Sequence, residues 1–376
     1  MKIGILYENR GLGNRDITKP YKGNPGVSGG TWGFVALGYY LSANHGVHVC
    51  YYMLEEGKTP EGTEGKFVEN RESAVKEAYN DKVDWFIMYN MPSVKEAGVY
   101  NAIRKYGLNT IIRMGCFCKE YEIKQILKTP SIKKIVCVGD WQYRHLDSRI
   151  KERAKCLYHF HIMDAYPVAC VTRKKQKKNI VMYQGMLKKG KGFHKLARIW
   201  RYVSLMVPDA ELWVLGNGQL YGEHLKLGPY GLSDKAYEKE IMKYIQDKNG
   251  KIRNDVKFLG LQGGNEKINY MRQAKVGVMN PSGETETWGL SASEFEIMGI
   301  PVVTRNKYGC KDSVKNFAGG FRFNTAVGFV FYLVLLLKCD KLNYKVGMAG
   351  RRRIGKIANA DKVATEWYEM LCAERI

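Results

Sequence analysis

The sequence is short of acidic residues. Its 376 residues include 60 Lys and Arg against 37 Asp and Glu, which gives a formal net charge of +23. No Asp or Glu occurs between Asp164 and Asp209. An excess of cations on this scale indicates an anionic partner. Nucleotide diphosphates, an anionic membrane, phosphate-bearing lipids and nucleic acid all meet that requirement.

Long hydrophobic runs are also missing. The longest, Ala326–Leu337, falls well short of the roughly 20 residues that span a bilayer. We interpret this run as a buried helix, with contact to a membrane surface as the alternative. The apolar start, Met1–Tyr7, is too short for the core of a signal peptide.

Patterns of metal ligands and paired cysteines are absent as well. The nine cysteines are scattered from Cys50 to Cys372, and Cys116 and Cys118 have no second cysteine or histidine pair beside them. An odd number of cysteines in a chain of this length favours reduced thiols and a cytoplasmic protein. We expect no metal site and no cofactor.

Apolar runs alternate with helical stretches along the chain, which predicts an α/β fold with a mostly parallel sheet. The length favours two domains. A run of charges from Arg173 to Lys178 marks the best boundary between them. Strands are predicted at Lys2–Tyr7, Trp85–Tyr89, Thr110–Met114, Lys133–Val138, Tyr158–Ile162 and Asn179–Gln184.

Several of these strands end in glycine-rich turns. Gly29 and Gly30 open a helix, and Gly216 and Gly218 follow a later strand. The segment Gly185–Gly192 nearly matches the phosphate-binding pattern GxxxxGK[ST]. Its last position is glycine in place of the hydroxyl residue that holds Mg²⁺, so we reject an NTPase.

The block from Asn280 to Thr304 carries the most information. It predicts a strand, a turn, a helix over Gly289–Met298 and a second strand. Glu286 lies in the turn and Glu294 in the helix. Backbone N–H groups at the start of a helix attract anions, here those of Trp288, Gly289 and Leu290. We therefore predict an anion site beside two carboxylates that can accept hydroxyl donors.

This block, PSGETETWGLSASEFEIMGIPVVT, resembles the E-x7-E motif of retaining glycosyltransferases of family 4, whose usual pattern is PS..EGFGL..LEAMA.G.PVV. The resemblance is strong over Asn179–Gly320 and loose before that. It implies the GT-B fold, in which two Rossmann-like domains face a central cleft. Residues 1–173 would bind the acceptor, residues 174–360 would bind the donor, and the helix at 361–376 would cross back to the N-terminal domain.

The resemblance also implies roles for individual residues. Glu286 and Lys191 would be catalytic, with Glu286 on the hydroxyls of the transferred sugar and Lys191 on the donor diphosphate. Glu294 would bind the nucleotide ribose. Met186 stands where the family has an arginine, and Lys188 or Lys189 would have to compensate. The implied donor-binding residues are Gly29, Gly30, Gly185, Lys189, Gly216, Gly218, Thr287, Trp288, Gly289, Leu290 and Glu294.

The expected activity is transfer of a sugar from a UDP- or GDP-type donor, with retention of configuration, to a carbohydrate or lipid-linked acceptor in polysaccharide or glycolipid assembly. The chain has no DxD sequence, so we expect protein groups to meet the diphosphate charge without a metal. The enzyme would be cytoplasmic, with peripheral attachment to an anionic membrane surface left open. Two alternatives stay open: a phage or viral enzyme that glycosylates DNA, and a non-catalytic protein that binds nucleotide sugars or glycans.

Overall fold

A computed structural model describes residues 1–10, 12, 15–91, 93–170, 177–219 and 226–373. The chain divides into two compact units. The first comprises Met1–Ile162 with Ile357–Ile376, and the second comprises Met163–Lys356. The boundary predicted at residues 173 and 174 lies outside the described residues.

The strands follow the predicted alternation with helices. They are β1 (Lys2–Tyr7), β2 (His48–Met53), β3 (Glu64–Phe67), β4 (Trp85–Tyr89), β5 (Thr110–Met114), β6 (Ile132–Cys137), β7 (Ala154–Cys156), β8 (Ile180–Gln184), β9 (Glu211–Leu215), β10 (Val256–Gly260), β11 (Val276–Met279), β12 (Val302–Arg305), β13 (Lys315–Asn316) and β14 (Gly319–Phe323).

The helices cover the remaining regular structure. They are α1 (Gly29–His45), α2 (Arg71–Asn80), α3 (Ala97–Tyr106), α4 (Glu120–Leu127), α5 (Asp140–Arg144), α6 (Ser148–Lys151), α7 (Phe193–Met206), α8 (Lys235–Ile245), α9 (Gly264–Met271), α10 (Leu290–Ile297), α11 (Cys310–Ser313), α12 (Ala326–Lys338), α13 (Asp340–Ala358) and α14 (Ala360–Ala373). Short 3₁₀ turns include Lys189–Lys191 and Met163–Ala165.

Each unit is built on a seven-stranded sheet of described strands. The orders are β3-β2-β1-β4-β5-β6-β7 and β10-β9-β8-β11-β12-β14-β13, with parallel pairing throughout. The central strands are buried along most of their length, as expected where helices cover both faces of a parallel sheet. The predicted α/β class with two parallel-sheet domains is confirmed.

The strand order reverses at one point in each sheet, between β1 and β4 in the first and between β8 and β11 in the second. Loops leave the carboxyl ends of such neighbouring strands in opposite directions, and the gap between them is where open α/β sheets bind ligands. The turn that carries Glu286 follows β11, and the loop that carries Lys191 follows β8.

The strand predicted at Tyr158–Ile162 is wrong. This stretch is extended, but its sheet pairing is limited to one bridge between His161 and Asn359. Its backbone bonds instead to the end of α13, where the His161 N–H donates to the Ala358 carbonyl at 3.0 Å. The last strand of the first sheet is the shorter β7, which precedes it.

The burial predicted for the run Ala326–Leu337 holds for only one side of α12. Phe329, Leu333, Leu336 and Leu337 lie in the core, whereas Val327 and Phe331 are exposed. Among the described helices, none combines the length and the apolar character needed to traverse a bilayer.

Candidate functional site

Two glycines bring the carboxyl ends of β8 and β9 into close contact. Gly216 has a φ of +127°, and a Cβ atom at this position would lie 2.2 Å from the Gly185 carbonyl oxygen. The Gly216 N–H donates to the Gly260 carbonyl at 2.8 Å, which adds the end of β10. Only glycine fits this approach, so the two strand ends meet backbone to backbone with no side chain between them.

The loop after β8 packs against the turn after β11. Gly192 ends the 3₁₀ turn Lys189–Lys191 with a φ of +74°, and a Cβ atom there would lie 2.4 Å from the Ser282 backbone nitrogen. The Ser282 hydroxyl donates to the Gly190 carbonyl. These contacts bring two segments together that are far apart in sequence.

Asn280 organises the turn and its carboxylate. Its φ of +39° is in a region that Asn adopts more readily than most residues. The Asn280 Oδ1 accepts the Gly283 N–H at 3.0 Å, and its Nδ2 donates to Glu286 Oε2 at 2.8 Å. Lys191 Nζ lies 2.8 Å from the same oxygen. Glu286 is thus a buried carboxylate that carries a charge-assisted hydrogen bond from the β8 loop.

Glu294 is buried within α10 and held by three donors. Lys267 Nζ and the Tyr166 hydroxyl donate to its Oε1 at 2.6 and 2.8 Å, and Gln184 Nε2 donates to Oε2. Burial alone would raise the pKa of Glu294, but the Lys267 charge and these hydrogen bonds hold the pKa below its ordinary value. This carboxyl group is therefore an ionised acceptor.

The start of α10 differs from the prediction. The Gly289 N–H, expected to be open to an anion, donates to the Ser313 hydroxyl at 2.6 Å. The anion site predicted from three N–H groups therefore loses its central donor to α11. Thr287 and Trp288 are buried in the turn before the helix, and Leu290 is its first residue.

Two neighbouring lysines of the β8 loop have different surroundings. Lys188 and Lys189 are both exposed, and Lys189 Nζ lies 3.8 Å from Glu240. Partial desolvation and the charge of Lys191 lower the pKa of Lys188, while Glu286 acts in the opposite direction. Lys188 therefore interacts with both Lys191 and Glu286, whereas Lys189 faces Glu240, a distinction that two adjacent lysines in a sequence do not reveal.

The remaining predicted glycines are placed as follows. Gly218 follows β9, and its N–H donates to the Leu232 carbonyl at 2.8 Å. Gly29 and Gly30 belong to the first unit and open α1, which Ser28 caps by accepting the Thr31 N–H. A Cβ atom at Gly30 would lie 2.4 Å from the Tyr89 hydroxyl.

Apart from Lys191, the sequence prediction missed the residues that hold the two glutamates. Asn280 lies inside the predicted block, and its tolerance of positive φ was the one available signal. Gln184 ends β8, whereas Lys267 and Tyr166 come from α9 and from the residue after a 3₁₀ turn. No local pattern connects these last two residues to Glu294.

A protein-family model matches the second half of the chain. Residues 170–353, nearly half of the chain, match the family model described as "Glycosyl transferases group 1". No curated protein sequence matches the chain at a significant level.

Solved structures match over nearly the whole chain. HepE (Alr3699) from Anabaena, solved with UDP and glucose, is 13% identical with a TM-score of 0.71, and the match covers 99% of this chain and 100% of that one. Sucrose-phosphate synthase from Thermosynechococcus elongatus is 15% identical with a TM-score of 0.69 and complete coverage of both chains. The lipopolysaccharide outer core galactosyltransferase WaaB, in its apo form, is 12% identical with a TM-score of 0.63, also with complete coverage. The architecture is the predicted GT-B fold.

Proposed function

Because residues 170–353 match the group 1 glycosyltransferases and the whole chain has the GT-B fold, we propose that the protein transfers a sugar from a nucleotide-diphosphate donor to a hydroxyl acceptor with retention of configuration. The observation that carries this proposal is the ion pair between Lys191 and Glu286. It stands at the reversal point of the second sheet, beside the buried acceptor Glu294. UDP-sugars are the first donors to test, since the Anabaena structure holds UDP and glucose.

The pair suits a reaction in which a diphosphate leaves a sugar. The bond between the anomeric carbon and the diphosphate oxygen breaks, and the acceptor oxygen bonds to the same face of that carbon. The acceptor proton passes to the departing phosphate oxygen, so no separate base is required. Asn280 and Lys191 both bond to Glu286 Oε2, so Oε1 is the oxygen assigned to the sugar hydroxyls, while Lys191 neutralises the developing charge.

Protein cations meet the rest of the diphosphate charge in this proposal. Lys188 lies in the field of both Lys191 and Glu286, and it takes the place of the arginine that Met186 replaces. We propose no divalent metal in the step. Because Gly185 and Gly216 carry no side chains, a nucleotide can approach the backbone at these strand ends in this proposal.

In this proposal Glu294 binds the hydroxyls of the nucleotide ribose. A carboxylate that is kept ionised can accept hydrogen bonds from vicinal hydroxyls. Lys267 holds the charge of Glu294 in place before the donor arrives, so binding requires little reorganisation.

The acceptor in this proposal is a carbohydrate or a lipid-linked sugar, and the setting is polysaccharide or glycolipid assembly in the cytoplasm. The net charge of +23 supports a phosphate-bearing acceptor or an anionic surface.

Glu286→Gln tests the central assignment. We expect transfer or donor hydrolysis to fall by about 10²–10³-fold, because a carboxylate that stabilises the transition state is lost from a buried position. Initial rates with UDP-glucose and other UDP- and GDP-sugars measure this, and thermal shift with UDP reports whether the donor site is still formed.

Glu284→Gln is the matched control. Glu284 lies in the same turn, but its side chain is turned to Lys307 at 2.6 Å. We expect rates close to those of the parent protein. If Glu286→Gln keeps the rates of the parent protein, the assignment of Glu286 is wrong. If the parent protein binds the donor but neither hydrolyses nor transfers the sugar, it is a non-catalytic binding protein.

A further inference from the structure

Helix α12 is apolar on its solvent side as well as on its core side. From Ala326 to Leu337 it contains no charged or amide side chain. Phe329 and Leu333 pack into the core, whereas Val327 is 79% exposed and Phe331 57% exposed. Helices that are apolar all round are normally buried in a protein core or in a membrane. The exposed side of α12 therefore requires a partner.

The apolar surface continues from α12 onto the turn between β13 and β14. Phe317 in this turn is exposed, and its ring centroid lies 5.1 Å from that of Phe321. The Phe321 ring stacks on Tyr332 at 4.7 Å, and Tyr332 lies 5.5 Å from Phe331. Phe317 and Phe331 are thus the exposed ends of one chain of ring contacts.

Helix α7 packs beside α12 and adds both apolar and cationic groups. The two helices lie in contact, and Met206 of α7 lines the same cavity as Leu337 of α12. Leu205 at the end of α7 is 76% exposed. The Arg201 guanidinium lies over the Tyr202 ring, 4.5 Å from its centroid. This surface therefore combines apolar tips with charged ends, as side chains at a membrane interface do.

Helix α8 packs on α7 and carries a stripe of lysines. Lys235, Lys239 and Lys243 are exposed and recur every four residues, which places them on one side of the helix. Glu238 of the same helix is buried, with its carboxylate bonded to backbone N–H groups. The outward side of α8 thus carries three lysines against one partly exposed carboxylate, Glu240, which lies 3.8 Å from Lys189.

Carboxylates are scarce along α7 and α12. The sequence has none between Asp164 and Asp209, which covers α7, and none between Asp312 and Asp340, which covers all of α12. Asp209 bonds to Asn179 at 2.8 Å. Asp340 pairs with Lys275 at 2.7 Å.

We propose that the solvent sides of α12, α7 and α8, which we call the helical face, bind an anionic lipid bilayer. The apolar side of α12 would enter the boundary between headgroups and acyl chains, and the cations of α7 and α8 would contact the headgroups. Both properties are needed, because a single apolar contact of this size holds a protein to a membrane only weakly.

Other partners fit the helical face less well. Nucleic acid would meet the cations but gives no contact for Val327 and Phe331. A symmetric dimer through this face would bring like charges of α8 together. The proposal concerns a surface and does not depend on the proposed sugar transfer.

The test is flotation of the full-length protein with vesicles of phosphatidylcholine alone or mixed with phosphatidylglycerol, without donor or acceptor. We expect binding to the anionic vesicles only, weakened by salt. The double variant Val327→Ser/Phe331→Ser should bind at least about tenfold more weakly, since it loses apolar area that would leave water. Lys239→Gln/Lys243→Gln should lose about thirtyfold, at about 1 kcal/mol per cation.

Matched controls lie in the first unit. Val94 and Phe67 are exposed apolar residues outside the helical face, and Lys124 and Lys128 are exposed lysines of α4 and its end. Val94→Ser/Phe67→Ser and Lys124→Gln/Lys128→Gln should bind vesicles like the parent protein. Unchanged thermal unfolding shows that each variant is folded.

Three results would overturn the proposal. The first is that the parent protein binds no anionic vesicles. The second is that Val327→Ser/Phe331→Ser binds the anionic vesicles as tightly as the parent protein does, and that duplex DNA displaces both proteins from the vesicles. That result indicates a surface that binds polyanions in general. The third is a dimer in light scattering that Val327→Ser/Phe331→Ser converts to a monomer, which indicates a second copy as the partner. Donor hydrolysis that depends on Glu286 would stand in all three cases.

Discussion

Two glutamates buried beyond the parallel strands have opposite electrostatic settings. In the second unit, Lys267 and two neutral donors hold the pKa of Glu294 below its ordinary value, against the effect of burial. In the first unit, burial raises the pKa of Glu122, and the hydrogen bonds that oppose it come only from neutral donors, among them Cys118, Asn90 and Tyr100. A similar depth of burial thus gives an ionised acceptor in one unit and a carboxyl group that retains its proton more readily in the other. The difference lies in one buried cation.

The reversal points of the two sheets show the same contrast. Beyond β8 and β11 the two carboxylates Glu286 and Glu294 are buried, and the turn is held in left-handed conformations at Asn280 and Thr285. Beyond β1 and β4, Arg71 lies between two partly exposed carboxylates, Glu8 at 2.5 Å and Glu96 at 2.7 Å. Strained and desolvated charges are typical of functional sites, whereas exposed ion pairs contribute little. The second reversal point is therefore the one with the features of a binding site.

The largest effect is expected from the cation that separates the two glutamates. Lys267→Met should destabilise the folded state by about 3–5 kcal/mol, because it leaves a buried carboxylate unpaired. It should also raise the pKa of Glu294, which would then resemble Glu122. Denaturant unfolding measures the loss, and Lys267→Met/Glu294→Gln should recover much of it. A loss no greater than that of an exposed lysine would break the comparison.

A smaller effect should distinguish the two adjacent lysines of the β8 loop. Lys188→Met should weaken UDP binding about tenfold, since charge-assisted hydrogen bonds to phosphate contribute about 1.5–3 kcal/mol each before partial compensation. Lys189→Met should bind UDP like the parent protein, because its side chain is directed to Glu240. Calorimetric titration with UDP measures both. Equal losses would show that the loop acts only through its total charge.

The smallest effect concerns pH and the first unit. A carboxyl group with a raised pKa favours the folded state below its ordinary pKa, and this contribution is lost as the pH rises through the folded-state pKa. Glu122 should therefore make the first unit less stable as the pH rises from acid toward neutral, and Glu122→Gln should remove that slope. Glu294 has the opposite sign, so its contribution is lost as the pH falls below its ordinary pKa. Thermal unfolding of both Gln variants across pH separates the two, and slopes of the same sign would contradict the comparison.

Much of the fold could be predicted because its signals are local. Trp85–Tyr89 and Thr110–Met114 are short apolar runs between polar residues, and the structure gives them the predicted bounds. Tyr158–Ile162 alternates apolar side chains with two histidines, as a half-buried strand would, but the His161 N–H bonds to the end of α13, which no local pattern shows. In α12 the apolar run predicts a helix, but not which side faces solvent.

In the candidate site, too, the sequence predicts the residues that lie in one local segment and misses contacts between distant segments. Glu286 and Glu294 stand out because one continuous block carries the strand, turn and helix that present them. The donors that set their charge come from other elements: Lys191 from the β8 loop, Lys267 from α9 and Tyr166 from the segment after a 3₁₀ turn. Such contacts depend on the tertiary fold.

The fit of Gly192 against Ser282 bears on how this loop can evolve. The glycine that separates the β8 loop from a Mg²⁺-binding phosphate loop is the residue on which the loop and the turn of Glu286 meet. A serine or threonine there would force the two segments apart before it could gain a metal ion. Single substitutions therefore cannot convert one type of phosphate loop into the other while the carboxylate turn keeps its place. A substitution at Gly192 therefore requires a compensating change in the turn of Glu286, although the two segments are far apart in sequence.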